Sequence, residues 1–278
     1  MSTLVSQAEK AARFQALHRR PGAFVVPNPW DAGSARILAS LGFEALATTS
    51  GGLAVTLGLR DGAVTREQAL AHVVQVAAAT NLPVTADLEN GYGDAPESVA
   101  ETLRLSAEAG VVGGSIEDAD AARQIYDLSH AIERIQAAVA VARSLPIPFV
   151  LTARAENFLR GRPDLDDTIR RLQAFETAGA DVLYAPNLPD LASIRLVCSA
   201  VTKPVNVIVG APGQCFPVAE LAEAGVRRIS LGPVLLRAAI TAMVRAAKDI
   251  QTHGSFAFVE HSLSFSDLNR LMASVGQT

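Results

Sequence analysis

Short runs of apolar and β-branched residues alternate along this chain with longer stretches whose apolar positions recur every three or four residues. The first pattern is that of a strand and the second that of a helix with one buried face. Eight strand-like runs can be marked: "AFVVPN" (23–28), "EALATTS" (44–50), "PVTADLE" (83–89), "GGSIED" (113–118), "PFVLTARAE" (148–156), "DVLYAPN" (181–187), "PVNVIVG" (204–210) and "RRISLGP" (227–233). Between them lie helical patterns such as "DAGSARILASLG", "TREQALAHVVQVAAAT", "APESVAETLRLSAEAG" and "DDTIRRLQAFETAGA". Many units close on Gly or Pro just before the next strand, as in "AGAD" and "TKP". Such residues stop a helix by taking a positive φ or by lacking an amide donor.

Eight strand–helix alternations in about 230 residues match the typical size of an α/β barrel of the (β/α)8, TIM type. An open doubly wound sheet is the competing architecture, but no GxGxxG follows the first strand. A single domain over residues 1–278 is expected, with its barrel core at about 20–250. Residues 3–19 read as an N-terminal helix, and "SLSFSDLNRLMASV" (262–275) as an additional C-terminal helix. Its Ser266-Asp267 start can cap a turn carrying Leu268, Leu271 and Met272 on one face. That face must dock, either against the barrel's own end or on a neighbouring subunit.

The 278 residues are 49% hydrophobic and 19% charged, enough for one large core. A net charge of -4 gives no broad basic field, which argues against nucleic acid as a partner. No uninterrupted apolar run reaches the length of a membrane span, and the N-terminus has no apolar leader. Cys198 and Cys215 form neither a CxxC pair nor a disulfide framework, so a reduced, cytoplasmic setting is expected. Both cysteines read as small packed side chains, and the five histidines as surface or interface residues. Asp164, Asp166 and Asp167 read as helix N-terminal charge.

Polar residues gather at the C-terminal ends of the expected strands, the end at which barrel enzymes build their sites. Side chains alternate along a strand, so Asp87 and Glu89 of "ADLENGYG" are expected to face one shared pocket, with Leu88 turned away. Two like charges on one side repel unless a cation or proton sits between them. Mg²⁺ suits the pair, since it takes one or two carboxylates with waters and substrate oxygens, and Glu117 on the next strand can supply a third acid. Zinc is disfavoured, because the histidines show no HxH or HxxxH spacing. Arg154 can bind a substrate carboxylate through two parallel hydrogen bonds. Ser50, Gly51 and Gly52 form a turn whose backbone amides can approach a carboxylate closely.

"TTSGGL", "ADLENGYG", "SIEDAD" and "TARAEN", in this order on successive strands, resemble the isocitrate lyase/phosphoenolpyruvate mutase superfamily over roughly residues 20–250. The resemblance implies a Mg²⁺-dependent (β/α)8 barrel acting on 2-oxo acids or on precursors that release them. Members cleave C–C bonds in isocitrate, 2-methylisocitrate or dimethylmalate, decarboxylate oxaloacetate, or make, break or move P–C bonds. By the same resemblance Ser50, Gly51 and Gly52 match the carboxylate-binding turn, and Asp61 the acidic residue on the loop after strand 2. Asp87 and Glu89 fall on two metal-proximal acids, Glu117 on a strand-4 glutamate, Arg154 on a substrate arginine and Asn206 on a strand-7 polar position. Catalytic roles are thereby implied for Arg154, Glu117 and Asp61, substrate binding for Ser50, Gly51, Gly52, Arg154 and Asn206, and metal binding for Asp87, Glu89 and Glu117.

Two departures stand out. The usual acid pair is Asp-x-Asp, whereas Glu89 is one methylene longer. The Lys-x-Cys-Gly-His loop of isocitrate and methylisocitrate lyases is replaced by "DADAARQIYDLS", which leaves Arg123, Tyr126 or a water as stand-in proton donors. The expected activity is a Mg²⁺-dependent lyase that breaks a C–C bond in a small 2-hydroxy or 2-oxo di- or tricarboxylate. Alternatives are P–C chemistry on phosphonopyruvate or a carboxyphosphonate, and a 2-oxo acid binding protein with little turnover. The family's habit of packing an additional C-terminal helix on a neighbour implies a homodimer or homotetramer.

Overall fold

The structure, a computed structural model, describes residues 5–210 and 215–273. Each expected run contains a strand: β1 (Phe24–Val26), β2 (Leu46–Ala47), β3 (Val84–Asp87), β4 (Gly113–Glu117), β5 (Val150–Arg154), β6 (Val182–Tyr184), β7 (Val205–Ile208) and β8 (Arg228–Ser230). All pairings are parallel, in the order β1-β8-β7-β6-β5-β4-β3-β2. The remaining seam, between β1 and β2, is crossed by the Ala47 N–H donating to Pro27 O at 3.1 Å. Asn28 ties the same corner: its Nδ2 donates to Thr48 O at 2.9 Å, while its Oδ1 accepts from the N–H groups of Leu231 and Gly232 at 2.9 and 2.8 Å. With helices alternating between the strands, the architecture is a (β/α)8 TIM-type barrel.

Parallel strands covered on both sides are apolar in both directions, and two packed clusters result. Leu151, Leu183, Val207 and Ile229 belong to the larger one, which includes helix residues such as Leu103, Ile135, Leu172 and Phe175. Their strand neighbours Val150 and Val182 join a smaller cluster with Phe24, Val26 and Val112. Ala11, Phe14 and Leu17 of the helix Gln7–Arg19 complete that second cluster, so this helix plugs the end at which the strands begin. Its Ser6–Glu9 capping box satisfies the first amides of the helix.

Three local expectations are corrected. His18 and His72 are buried rather than on the surface; His18 packs edge-on to Phe14 and Phe24, and burial pushes its pKa down to about 3. Cys215 is exposed and only Cys198 is partly packed. The C-terminal helix runs over Phe265–Met272 and is capped by Ser264, whose Oγ accepts from the Asp267 N–H at 3.0 Å, not by Ser266. This helix lies against the helix Ala32–Ser40 of the same chain, where Arg36 Nη1 donates to Met272 O at 3.4 Å. Phe265 remains 78% exposed, and no residue of the helix is fully buried. Among the described residues, no helix is long and apolar enough to cross a membrane.

Candidate active site

Asp87 is the last residue of β3, with its backbone N–H held by Thr48 Oγ1 at 2.9 Å. Its Oδ2 accepts from the Ser50 N–H at 3.0 Å and from Ser50 Oγ at 2.9 Å, and its Oδ1 faces Arg154 Nη1 at 3.2 Å. Past Asp87 the strand ends, so side-chain alternation no longer decides direction. Leu88 turns into the core, and Glu89 adopts φ 49°, a left-handed conformation that an L-residue with a long side chain rarely takes. The Glu117 N–H fixes this turn by donating to Glu89 O at 2.8 Å. Asp87 therefore lines a cavity of about 270 Å³ at the barrel mouth, while Glu89 lines an adjoining one of about 60 Å³. The single shared pocket expected from sequence is two, joined through Ser50, Asp61, Glu117 and Arg160, which line both.

Arg154, the last residue of β5, stands between two register partners, Glu117 on β4 and Tyr184 on β6. Its Nη1 meets Glu117 Oε1 at 3.0 Å, its Nε donates to Glu156 Oε1 at 2.8 Å, and its guanidinium lies 4.9 Å from the centre of the Tyr184 ring. Arg160 Nη2 reaches Glu117 Oε2 at 2.6 Å and Glu156 Oε2 at 3.2 Å. Four acids (Asp87, Glu89, Glu117, Glu156) thus share two arginines (Arg154, Arg160), and full ionisation would leave two excess negative charges. Glu89 bears that excess: burial, then Asp87, Glu117 and Asp61, push its carboxyl up to about 8, and its Oε1 is buried without a partner among the described residues. Glu156, completely buried, is also held above the ordinary carboxylate range by its burial. A raised carboxylate amid like charges in a cleft marks a site for a cation or for proton transfer.

The other expected residues divide. Ser50, Gly51 and Gly52 are not a loop turn; they open the helix Ser50–Thr56, capped by Thr49, and the Ser50 donors are engaged by Asp87. Gly52 is required by packing, since a Cβ there would lie 2.5 Å from Thr49 Cγ2 and 3.2 Å from Trp30 Cβ. Asp61 lines both cavities from an exposed loop, 3.7 Å from Arg123 Nη2. Asn206 lines the larger cavity, but its amide is used at both ends: Nδ2 donates to Ser230 Oγ at 3.0 Å and Oδ1 accepts from Arg228 Nε at 2.8 Å. Of the stand-in proton donors, Arg123 lines the smaller cavity, whereas the Tyr126 hydroxyl donates to Asp94 at 2.5 Å and lines neither. The glycine-containing segment after β7 falls partly on residues 211–214, outside the described residues.

Sequence reasoning passed over Glu156, Arg160 and Arg228. Glu156 carried a signal, since it is an acid two residues beyond Arg154 in "TARAEN"; the structure buries it fully. Arg160 carried none, because it follows the strand by six residues, in a turn that brings it back over Glu117.

Among the described residues no three His, Cys, Asp or Glu side chains converge as a ready cluster for a metal. Asp87, Glu89 and Glu117 are drawn apart by their separate partners: Ser50 and Arg154 on Asp87, Arg154 and Arg160 on Glu117. The donor chemistry nonetheless fits Mg²⁺, which needs only one or two protein carboxylates. The orphaned Glu89 Oε1 and the two-charge excess are the features a divalent ion would satisfy.

Known proteins resemble this chain in sequence and in fold. A solved Burkholderia cenocepacia J2315 protein, provisionally described as a lyase/mutase, superposes with a TM-score of 0.94 at 55% identity, covering 97% of each chain. A second structure from that organism, provisionally described as a phosphonomutase, gives a TM-score of 0.81 at 39% identity over 86% of this chain and 99% of its own. The 2-methylisocitrate lyase of Escherichia coli K12 is 31% identical over 232 residues, 79% of this chain and 76% of its own. The sequence model of phosphoenolpyruvate phosphomutase matches residues 14–251. With a match of that extent, the chain belongs to the phosphoenolpyruvate phosphomutase family, within the superfamily of lyases and mutases that also holds the isocitrate lyases.

Proposed function

We propose that this protein is a Mg²⁺-dependent lyase that breaks a C–C bond in a small 2-hydroxy or 2-oxo di- or tricarboxylate and releases a 2-oxo acid. One observation carries the reading: the half-buried Glu89 carboxyl, its Oε1 buried and without a partner among the described residues, stands beside Asp87 and Glu117 at the mouth of the barrel, with Arg154 among them. Asp87 and Glu89 would hold the ion, with Glu117 reaching it directly or through water. Bound there, the ion supplies Lewis-acid stabilisation of negative charge developing on a substrate oxygen. Arg154 orients the substrate carboxylate, and its three acidic partners fix its guanidinium plane in advance. The Ser50 hydroxyl and amide, now on Asp87, are the donors that can turn to a substrate carboxylate once Asp87 turns to the cation. Asp61, exposed at the cavity rim, is the acid that lies within reach of both solvent and a bound substrate.

A second reading is P–C chemistry on phosphonopyruvate or a carboxyphosphonate, favoured by the relative provisionally described as a phosphonomutase. We further propose that the chain works as a homodimer or homotetramer through its exposed C-terminal helix.

The test is a time course by proton and phosphorus NMR, with Mg²⁺, against isocitrate, 2-methylisocitrate, dimethylmalate, oxaloacetate and phosphonopyruvate. Mg²⁺-dependent release of a 2-oxo acid from a carboxylate substrate is the expected result. Conversion of phosphonopyruvate alone transfers the assignment to P–C chemistry. Tight Mg²⁺-dependent binding of a 2-oxo acid with no conversion makes the protein a binding protein instead.

A further inference from the structure

Arg228 is the first residue of β8, 5% exposed, and it lines the larger cavity. Its contacts are with neutral groups: Nε donates to Asn206 Oδ1 at 2.8 Å and Nη2 to Thr152 Oγ1 at 3.0 Å. Nη1 is buried with no partner among the described residues. Among the described residues no carboxylate acts on this cation; the groups that do are the Tyr184 phenol and Arg154, a like charge. Two other buried arginines are paired with acids: Arg154 faces Asp87, Glu117 and Glu156, and Arg171 faces Asp118 and Asp167. A buried guanidinium without an anion is costly unless its donors are satisfied otherwise, as the terminal nitrogens of buried Arg134 are by the carbonyls of Asn90, Gly93 and Asp94; Arg228 differs in lining a cavity with Nη1 unpartnered among the described residues, and there a ligand can supply the anion.

The position of Arg228 fits a ligand that spans the cavity. Glu117, Arg154, Tyr184, Asn206 and Arg228 are successive register partners across five strands. Glu117 ends β4 and Arg154 ends β5, whereas Asn206 is second in β7 and Arg228 begins β8. Because barrel strands tilt, this row descends from the mouth toward the plugged end. The cavity therefore has an upper pole at Asp87 and Arg154 and a lower one at Arg228.

We propose that Arg228 binds a second anionic group of the substrate, a carboxylate or a phosphonate, at the deep end of the cavity. This rests on the reading that the upper pole takes the 2-oxo acid unit. Asn206 is then a positioning residue, held by Ser230 and holding the guanidinium by Nε, so that Nη1 is left for the ligand. His18, also with a ring nitrogen unpartnered among the described residues, is kept neutral by burial and so neither repels Arg228 as a cation nor supplies it with a counter-charge.

The proposal is tested by calorimetric titration of the full-length protein and its Arg228→Met variant, with and without Mg²⁺. Pyruvate carries one anionic group; 3,3-difluorooxaloacetate adds a carboxylate and phosphonopyruvate a phosphonate. Wild type should favour the dianions, and Arg228→Met should reduce that preference by roughly 10-fold or more while pyruvate affinity moves less than about two-fold. Loss confined to one dianion identifies which group Arg228 receives. Arg228→Lys, which keeps the charge without the planar fork, should retain part of the preference. It also carries the comparison if the Met variant fails to fold by circular dichroism. An unchanged dianion-to-pyruvate ratio in the folded variant, or a wild type without preference, overturns the proposal. Pyruvate binding that ignores Mg²⁺ while the ratio still responds to Arg228 counts against the lyase reading alone, and binding of none of the three overturns both.

Discussion

Glu117 and Arg154 are register partners at the ends of β4 and β5, and their side chains meet at 3.0 Å. The same guanidinium also contacts Asp87 and Glu156, so three neighbouring carboxylates share this one cation. Breaking a buried pair by removing one partner leaves an uncompensated charge, at a cost of roughly 3–5 kcal/mol. Arg154→Met should therefore lose stability of that order in urea unfolding at pH 7 and lose turnover as well. A loss below about 1 kcal/mol, the value of an exposed pair, would show that the network does not hold the barrel mouth.

Glu89 predicts a pH dependence whose sign is opposite to that of ordinary carboxylates. Its folded-state pKa is raised from 4.5 to about 8, so between those values the folded protein keeps a proton that the unfolded chain has released. Its contribution is complete below about pH 4.5 and is lost as pH rises through about 8. Glu156, raised by burial, acts in the same direction. The thermal midpoint without metal should fall from pH 5.5 to pH 8.5, Glu89→Gln should flatten that slope, and Mg²⁺ should raise the midpoint at pH 8.5 far more than at pH 5.5. Equal metal effects at both pH values would remove Glu89 as the site where ion and proton compete.

Gly51 and Gly52 are adjacent but should not respond alike to substitution. An alanine Cβ at Gly52 would lie 2.5 Å from Thr49 Cγ2, inside any permissible contact, whereas at Gly51 the nearest atom is Asp61 Oδ1 at 3.4 Å. Gly52→Ala should cost roughly 1–3 kcal/mol by overpacking, and Gly51→Ala less than about 1 kcal/mol. Calorimetric melting of the two variants gives the comparison, and equal losses would mean that the helix start at Ser50 adjusts more freely than its geometry implies.

Arg123 and Asp61 face one another across the rim at 3.7 Å, with side chains 59% and 61% exposed. A pair in that setting contributes about 0–1 kcal/mol. Arg123→Ala should leave the melting temperature within about 2 °C. An effect on turnover without one on melting would assign Arg123 to the chemistry of the rim; loss of stability would instead make it structural.

The C-terminal helix exposes Phe265 and Leu268 beside exposed Leu263, Val259 and Phe256. Deleting residues 262–278 should reduce the assembly size measured by analytical ultracentrifugation. An unchanged sedimentation coefficient, allowing for the lost mass, would show that subunits meet elsewhere.

The eight strands were legible because each parallel strand is buried on both faces and so reads as a compact apolar run ended by polar residues. Asp87, Glu117 and Arg154 were legible for the same reason, as charges ending such runs at β3, β4 and β5. Glu89 was placed by the wrong cause: alternation ceases at Asp87, and a left-handed residue, not the pleat, sends it to its own small cavity. Arg160 and the pairing of Ser50 with Asp87 depend on where loops return in space, which periodicity does not encode. His18 looked like a surface residue because a polar helix with one apolar stripe does not announce that it plugs a barrel.

Asn28 sets a timetable for the chain's birth. Its Oδ1 accepts from amides 203 and 204 residues later, and those bonds close the corner where the first strand meets the last. At about 5–20 residues per second, a ribosome takes roughly 10–40 s to deliver those partners after Asn28 has emerged. During that interval β1 has no hydrogen-bonded neighbour on its β8 side, and the wall formed by Asn206, Arg228 and Ser230 is still to be translated. The nascent chain consequently has no half-built, partly active form, and its longest exposure to aggregation or to chaperones comes just before the last strand arrives.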